Sequence, residues 1–282
     1  MKKDRLKWLL LSPIIIYALI LILLPIVYIF ILSFQTSGSY GEIIYNLTFY
    51  NYIELIKSIY LKVFLVSFGI ASITTIICMI IAFPFSYFLR EKSARTKTLI
   101  TTLVMLPFLT NSLIRLYGWI VLLRKTGIVN TLLMNTGITD RPLSLMYNTF
   151  GTCVGMVYTL LPFMILPLIS ACEKIDNSLI EAAHDLGASN FMVFMKIVLP
   201  TIMPAIVSGA TLAFTLSLDD VVISYFTAGP GSNTLPLYIY SMIKTGITPD
   251  VNALSSLMML VVFIVLISVA LYQSKKIRSR AL

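Results

Sequence analysis

CEKIDNSLIEAAHDLGASNFMVFMKIVLP, residues 172–200, separates two long apolar runs at 150–171 and 201–227. Each run is long enough to cross a bilayer, because a helix needs roughly 20 residues to span the hydrocarbon. The quoted stretch between them is polar in its first half and carries its own helix signals. Asn177 or Ser178 suits a helix start, with Glu181 in the first turn. Ala182, Ala183 and Leu186 favour the helix that follows, and Gly187 suits a left-handed helix end. Ser189 or Asn190 then suits a second short helix, and Pro200 restarts the chain into the next run. The spacing predicts a compact helix–turn–helix lying at a membrane surface.

Four further apolar runs, at 9–34, 63–89, 99–123 and 252–272, bring the number of expected spans to six. Composition agrees. Of 282 residues 58% are hydrophobic and only 12% charged, too little polar surface to cover so large a core in water. The bilayer is therefore the expected solvent. The fold class is an all-α integral membrane protein, a single transmembrane domain over 1–282 with a core at 63–272 and the connecting loop at 172–200. The start resembles a signal peptide, but its apolar run is too long for one and no small-residue cleavage site follows, so it reads as the first span. Pro25, Pro84, Pro107, Pro162 and Pro167 fall inside or at the ends of spans and imply kinked helices in a bundle. Cys78, Cys153 and Cys172 have no metal-ligand spacing and read as small apolar residues.

Basic residues set the orientation. Lys2, Lys3, Arg5, Lys7, Arg90, Lys92, Arg95, Lys97, Lys174, Lys196, Lys275, Lys276, Arg278 and Arg280 all fall on one side of a six-span chain, two thirds of its 21 Lys and Arg. The positive-inside bias then puts both termini and the 172–200 loop in the cytoplasm. The net charge of +9 is accounted for by these flanks, so no nucleic-acid partner is expected. On the other side, 35–62 is polar and aromatic and suits a short interfacial helix. The connection 228–250 reads as a turn, Gly229-Pro230-Gly231, followed by a short amphipathic piece.

Glu181-Ala182-Ala183, three residues, Gly187, nine residues, Ile197, one residue, then Leu199-Pro200 resembles the "EAA" loop of ABC importer permeases at every fixed position. A generic helical hairpin demands neither this spacing nor this place before the penultimate span. The resemblance implies the type I ABC importer permease fold. It also implies that Glu181, Ala182, Ala183, Gly187, Ile197, Leu199 and Pro200 form a coupling element. In that family the element fits a groove on a cytoplasmic ATPase dimer.

The segments 106–118, 214–222 and 235–244 are similar to spermidine/putrescine permease subunits, the first to the B type and the other two to the C type. This implies a second homologous or identical permease, an extracytoplasmic solute-binding protein and polyamine import across a bacterial-type inner membrane. No cofactor is expected on this chain. It has no phosphate-binding Gly-Lys-Ser/Thr loop, so ATP and Mg are expected on the partner ATPase. Relatives that import other small organic solutes share the pattern. A passive channel would need no ATPase dock. A membrane-embedded enzyme would need a convergent catalytic site, and the only histidine, His184, lies in the loop itself.

Asp219 and Asp220 sit deep in an apolar run, where a carboxylate costs roughly 2.5–3.5 kcal/mol. Water, protein partners or a cationic solute must compensate. One can line the path while the other bonds within the bundle, and Arg115 is an alternative partner. Tyr117, Tyr225 and Phe226 are candidate aromatic contacts for a cation. Trp119 reads instead as an interfacial aromatic.

Overall fold

A computed structural model describes residues 11–38, 43–56, 58–246 and 248–281. Lys2, Lys3, Arg5 and Lys7, on which the orientation reading leans, lie outside the described residues, as do the side chains of Lys275, Lys276, Arg278 and Arg280. Among the described residues the regular structure is helical apart from a short antiparallel ladder, β1 Thr36–Ser37 with β2 Ile43–Ile44. Among the described residues five helices are long and apolar enough to cross a membrane, and a bent pair counted as one span makes six.

Two compact units divide the contacts. The first comprises Met1–Lys62 and Tyr238–Ile264. Its opening helix α1, Leu11–Leu32, is unburied along its apolar window, as a lipid-facing helix would be. The expected interfacial helix is α2, Tyr50–Leu55. It is tied back by buried Asn51, whose amide donates to the carbonyls of Ser33 and Gln35, both at 2.8 Å. The Tyr52 and Ser33 hydroxyls lie 2.7 Å apart.

The second unit comprises Val63–Leu237 and Val265–Leu282. The helices from here on are α3 Ser58–Leu89, α4 Ala94–Met105, α5 Ser112–Leu123, α6 Ile128–Asn135 and α7 Thr149–Cys172. They continue as α8 Asn177–Asp185, α9 Asn190–Val193, α10 Leu199–Asp219, α11 Val222–Thr227, α12 Leu235–Thr245 and α13 Pro249–Ala281.

Helix α7 is the centre of this unit. Gly151, Met156, Leu160, Met164, Ile165 and Leu168 are among its buried residues. Its most extensive helix contact is with α10. Gly209 makes that contact possible: a Cβ there would lie 2.8 Å from Met164 Sδ and 3.4 Å from Met164 backbone atoms. Small residues let backbones approach where lipid removes the hydrophobic drive for association. Ser217 Oγ donates to Met156 Sδ at 3.0 Å, and Ser86 of α3 donates to the Ile165 carbonyl at 3.5 Å.

The third run is not a straight span. A 3-10 turn over Leu106–Leu109 follows α4, and the chain then turns by 93° into α5. Pro107 ends the regular hydrogen bonding, and Thr110 is extended. The Pro107 carbonyl is satisfied by Thr110 N–H at 3.1 Å, Thr110 Oγ1 at 2.7 Å and Arg115 Nη1. Asn111 restarts the helix by accepting the Leu113 N–H at 2.8 Å.

The fifth run is also broken, because α10 stops at Asp219 and α11 begins at Val222. Two π turns, Ala18–Leu23 and Phe194–Val198, precede Pro25 and Pro200. Each covers the residue four places before the proline, Leu21 or Lys196, whose carbonyl the ring would strike in a regular helix.

Candidate functional site

The 172–200 connection is the expected helix–turn–helix, with a different first cap. Asp176, rather than Asn177 or Ser178, closes the start of α8, its Oδ1 accepting the Ser178 N–H at 2.9 Å. The Ser178 amide, then its hydroxyl, hold the exposed Asp176 carboxyl below its ordinary value. A depressed carboxylate contributes stability that is present above its unfolded-state value and lost as pH falls through the folded one. Amide exchange at Ser178 is therefore expected to be slow at neutral pH and to lose its extra protection below about pH 4. In Asp176→Asn that pH dependence disappears.

Gly187 is left-handed, with φ of +78°. The Gly187 N–H donates to the His184 carbonyl at 2.8 Å and the Ala188 N–H to the Ala183 carbonyl at 2.9 Å. This is the paired C-terminal closure that positive φ permits. His184 Nδ1 adds a bond to the Ala188 carbonyl at 3.1 Å. Ser189 caps α9 by accepting the Met192 N–H at 3.3 Å.

The seven expected coupling residues separate into two sets. Glu181, Ala182 and Gly187 are exposed. Ala183, Ile197 and Leu199 pack against the core of the unit, with Ile180 and buried Ile175 beside them, and Pro200 is half-buried at the start of α10. The inner face of α8 therefore anchors the element while the outer face is presented.

That outer side carries an apolar stripe among exposed polar residues such as Glu181 and Asp185. Leu179, Ala182 and Leu186 follow at i, i+3 and i+7, with Leu179 56% and Leu186 88% exposed. Phe191 adds a further exposed apolar side chain from α9. Exposed apolar clusters of this kind mark interaction sites. Lys97 of α4 pairs with Glu173 at 3.5 Å, bringing the 90–97 connection against this one.

The five residues expected along a solute path lie at or near the two helix breaks. Asp219 is exposed at the end of α10. Asp220 is half-buried, its Oδ1 accepting the N–H groups of Ile223 at 2.7 Å and Ser224 at 3.3 Å, so it closes the start of α11. The Tyr225 and Phe226 rings meet edge-on at 5.1 Å, and both are exposed. Tyr117 is exposed on α5.

Two cavities lie alongside. An apolar one of about 530 Å³ is lined by Ile73, Ile77, Trp119, Phe150, Val157 and Tyr158, among others. A smaller one of about 120 Å³ includes Arg115, Asp220, Ser112 and Thr159 in its wall. Asp220 alone of the five lines either cavity. Trp119 meets Tyr158 edge-on at 5.5 Å and lines both.

Residues 8–280 match the family described as the binding-protein-dependent transport system inner membrane component. The chain belongs to that family: it is a multi-pass inner-membrane permease of the ABC transporter class, a transport subunit rather than an enzyme, and its setting includes a solute-binding protein. Over 191 residues it is 41% identical to the spermidine/putrescine transport system permease protein PotB of Haemophilus influenzae, covering 68% of this chain and 67% of that one. It is 46% identical over 108 residues to the corresponding protein PotC of Escherichia coli, covering 38% of this chain and 41% of the relative. The fold is that of a crystallised bacterial ABC transporter involved in import of the acidic polysaccharide alginate. The TM-score is 0.74 at 18% identity, covering 98% of this chain and 96% of that one.

Proposed function

We propose that this chain is one of two membrane subunits of an ATP-driven importer for polyamines, spermidine and putrescine being the expected solutes, with α8 as its coupling helix. The observation that carries this reading is the outward stripe of Leu179, Ala182 and Leu186 on an element whose inner face is packed into the core. A partner seated on that stripe pushes on α7 and α10 together, because the element joins them through short turns at 173–176 and 186–189. The partner is a cytoplasmic ATPase dimer that uses ATP and Mg²⁺; this chain holds neither.

Closure of the dimer on ATP displaces both coupling elements, one on this chain and one on a homologous or identical second permease. The membrane path then opens outward and receives solute from the extracytoplasmic binding protein. Hydrolysis returns it inward. Both termini lie in the cytoplasm in this arrangement. The contact between Lys97 and Glu173 supports it by keeping the 90–97 and 172–200 connections on one side.

Asp219, Tyr117, Tyr225 and Phe226 supply carboxylate and aromatic chemistry suited to an organic cation. High affinity belongs to the binding protein, so this site need only be weak. The test is competition for uptake in cells carrying the full transporter. Excess unlabelled spermidine or putrescine is expected to reduce labelled polyamine uptake at least tenfold more than excess neutral or anionic solutes, about 1.4 kcal/mol of discrimination. Dominance by a neutral or anionic solute overturns the polyamine assignment.

A further inference from the structure

The breaks in the third and fifth runs face one small cavity. Arg115, four residues past the first break, and Asp220, at the second, are both in its wall. The other residues around it are uncharged: Ser112, Leu116, Trp119, Gly155, Tyr158 and Thr159, with Val222 and Ile223 of α11. Each charge is tethered to backbone on its own side. Arg115 Nη1 holds the Pro107 carbonyl, and Asp220 holds the first amides of α11. Arg115 Nε is buried without a hydrogen-bond partner. Among the described residues no direct ion pair joins Arg115 to Asp220.

We infer that Arg115 and Asp220 are a balanced pair of positioning charges, coupled across this cavity through water, that hold the two helix breaks in register and leave Asp219 as the acid facing the solute. The space of about 120 Å³ is large enough for water, and Arg115, Asp220 and the Ser112 and Thr159 hydroxyls are polar partners in an otherwise largely apolar wall. Opposite charges lining one partly enclosed space stabilise each other, whereas removing one leaves the other a partly buried charge without a counter-ion. A solute ammonium entering here would meet the Arg115 guanidinium, so Asp220 is poorly placed to receive one. Asp219 lies outside this wall and is exposed. The assignment of Asp219 rests on the polyamine reading; the coupling of Arg115 to Asp220 does not.

The test uses the complete transporter, purified for thermal unfolding and reconstituted for spermidine uptake. Asp220→Asn keeps an acceptor for the Ile223 amide and removes only the charge. Arg115→Gln removes the opposite charge. Each single change is expected to lower the unfolding midpoint by roughly 5 °C or more and to raise the uptake KM about tenfold, and the double variant to recover most of both. Asp219→Asn is expected to raise KM with no change in midpoint. If the singles do not assemble but the double variant does, the pairing stands. Losses that add in the double variant, or a double variant that also fails to assemble, overturn it. So does Asp220→Asn raising KM at an unchanged midpoint. Failure of spermidine as solute with coupled midpoints would overturn the polyamine reading alone.

Discussion

Gly187→Val is expected to abolish uptake and to release the ATPase from the purified complex. The reason is local. Gly187 sits at φ +78°, and a Cβ there would meet nothing within 4 Å. The cost is therefore backbone strain alone, about 1–2 kcal/mol for an L-residue forced left-handed. Val adds branching that tolerates this conformation worst. Relief of the strain unmakes the two closing bonds to His184 and Ala183 and turns α9 away from α8. The outward stripe then no longer presents one surface.

Gly187→Asn is the control, because Asn tolerates positive φ, and it is expected to retain most uptake. Glu181→Ala separates docking from folding. Glu181 is exposed on the presented side, so its loss is expected to weaken ATPase retention while leaving the midpoint of unfolding unchanged. Co-purification of the ATPase with each variant, alongside uptake, gives the answer. Full assembly and full uptake in both Gly187→Val and Glu181→Ala would sink the coupling role.

The second large effect is expected at the centre of the bundle. Gly209→Leu should leave little folded transporter in the membrane, and Gly209→Ala an intermediate amount. Even the single Cβ of alanine would press on Met164 Sδ, and Met164 is fully buried. Its thioether must find another rotamer in a filled core. Leucine adds three further carbons against Met164 backbone, which cannot yield without moving α7 from α10. Overpacking costs about 1–3 kcal/mol when the surroundings adjust and more when they cannot. The quantity to measure is membrane-extracted, monodisperse complex, followed by its unfolding midpoint. Equal yields of the leucine variant and the parent would show that α7 and α10 separate without penalty, against the packing described here.

Much of the membrane architecture was legible without coordinates because bilayer thickness and hydropathy act on local sequence. The runs at 63–89 and 150–171 correspond closely to α3 and α7. The turn at Gly187 was legible for a similar reason, since only glycine takes that conformation freely. The cap is Asp176, ahead of the expected Asn177 or Ser178, because all three are competent caps. Only the chain path shows which carboxylate or hydroxyl reaches the free amide.

Pro107 marked a kink, but neither the 93° turn there nor the break at Asp220 was legible. Hydropathy sums along the chain, so it sees 99–123 and 201–227 as continuous, while Pro107 and Asp220 interrupt the hydrogen-bond ladder without lowering the sum much. Tertiary packing decided what sequence periodicity left open. It turned Ala183, Ile197 and Leu199 inward while Ala182 and Leu186 stayed outward, and it placed Arg115 beside the same cavity as Asp220. The sequence by itself determined that the chain crosses a bilayer and where the helix–turn–helix of 172–200 lies, because apolar length and local backbone chemistry act within a few turns of helix. Which faces are anchored, and which charges share one cavity, depend on residues more than 100 positions apart, such as Arg115 and Asp220, and only the folded bundle sets those neighbours.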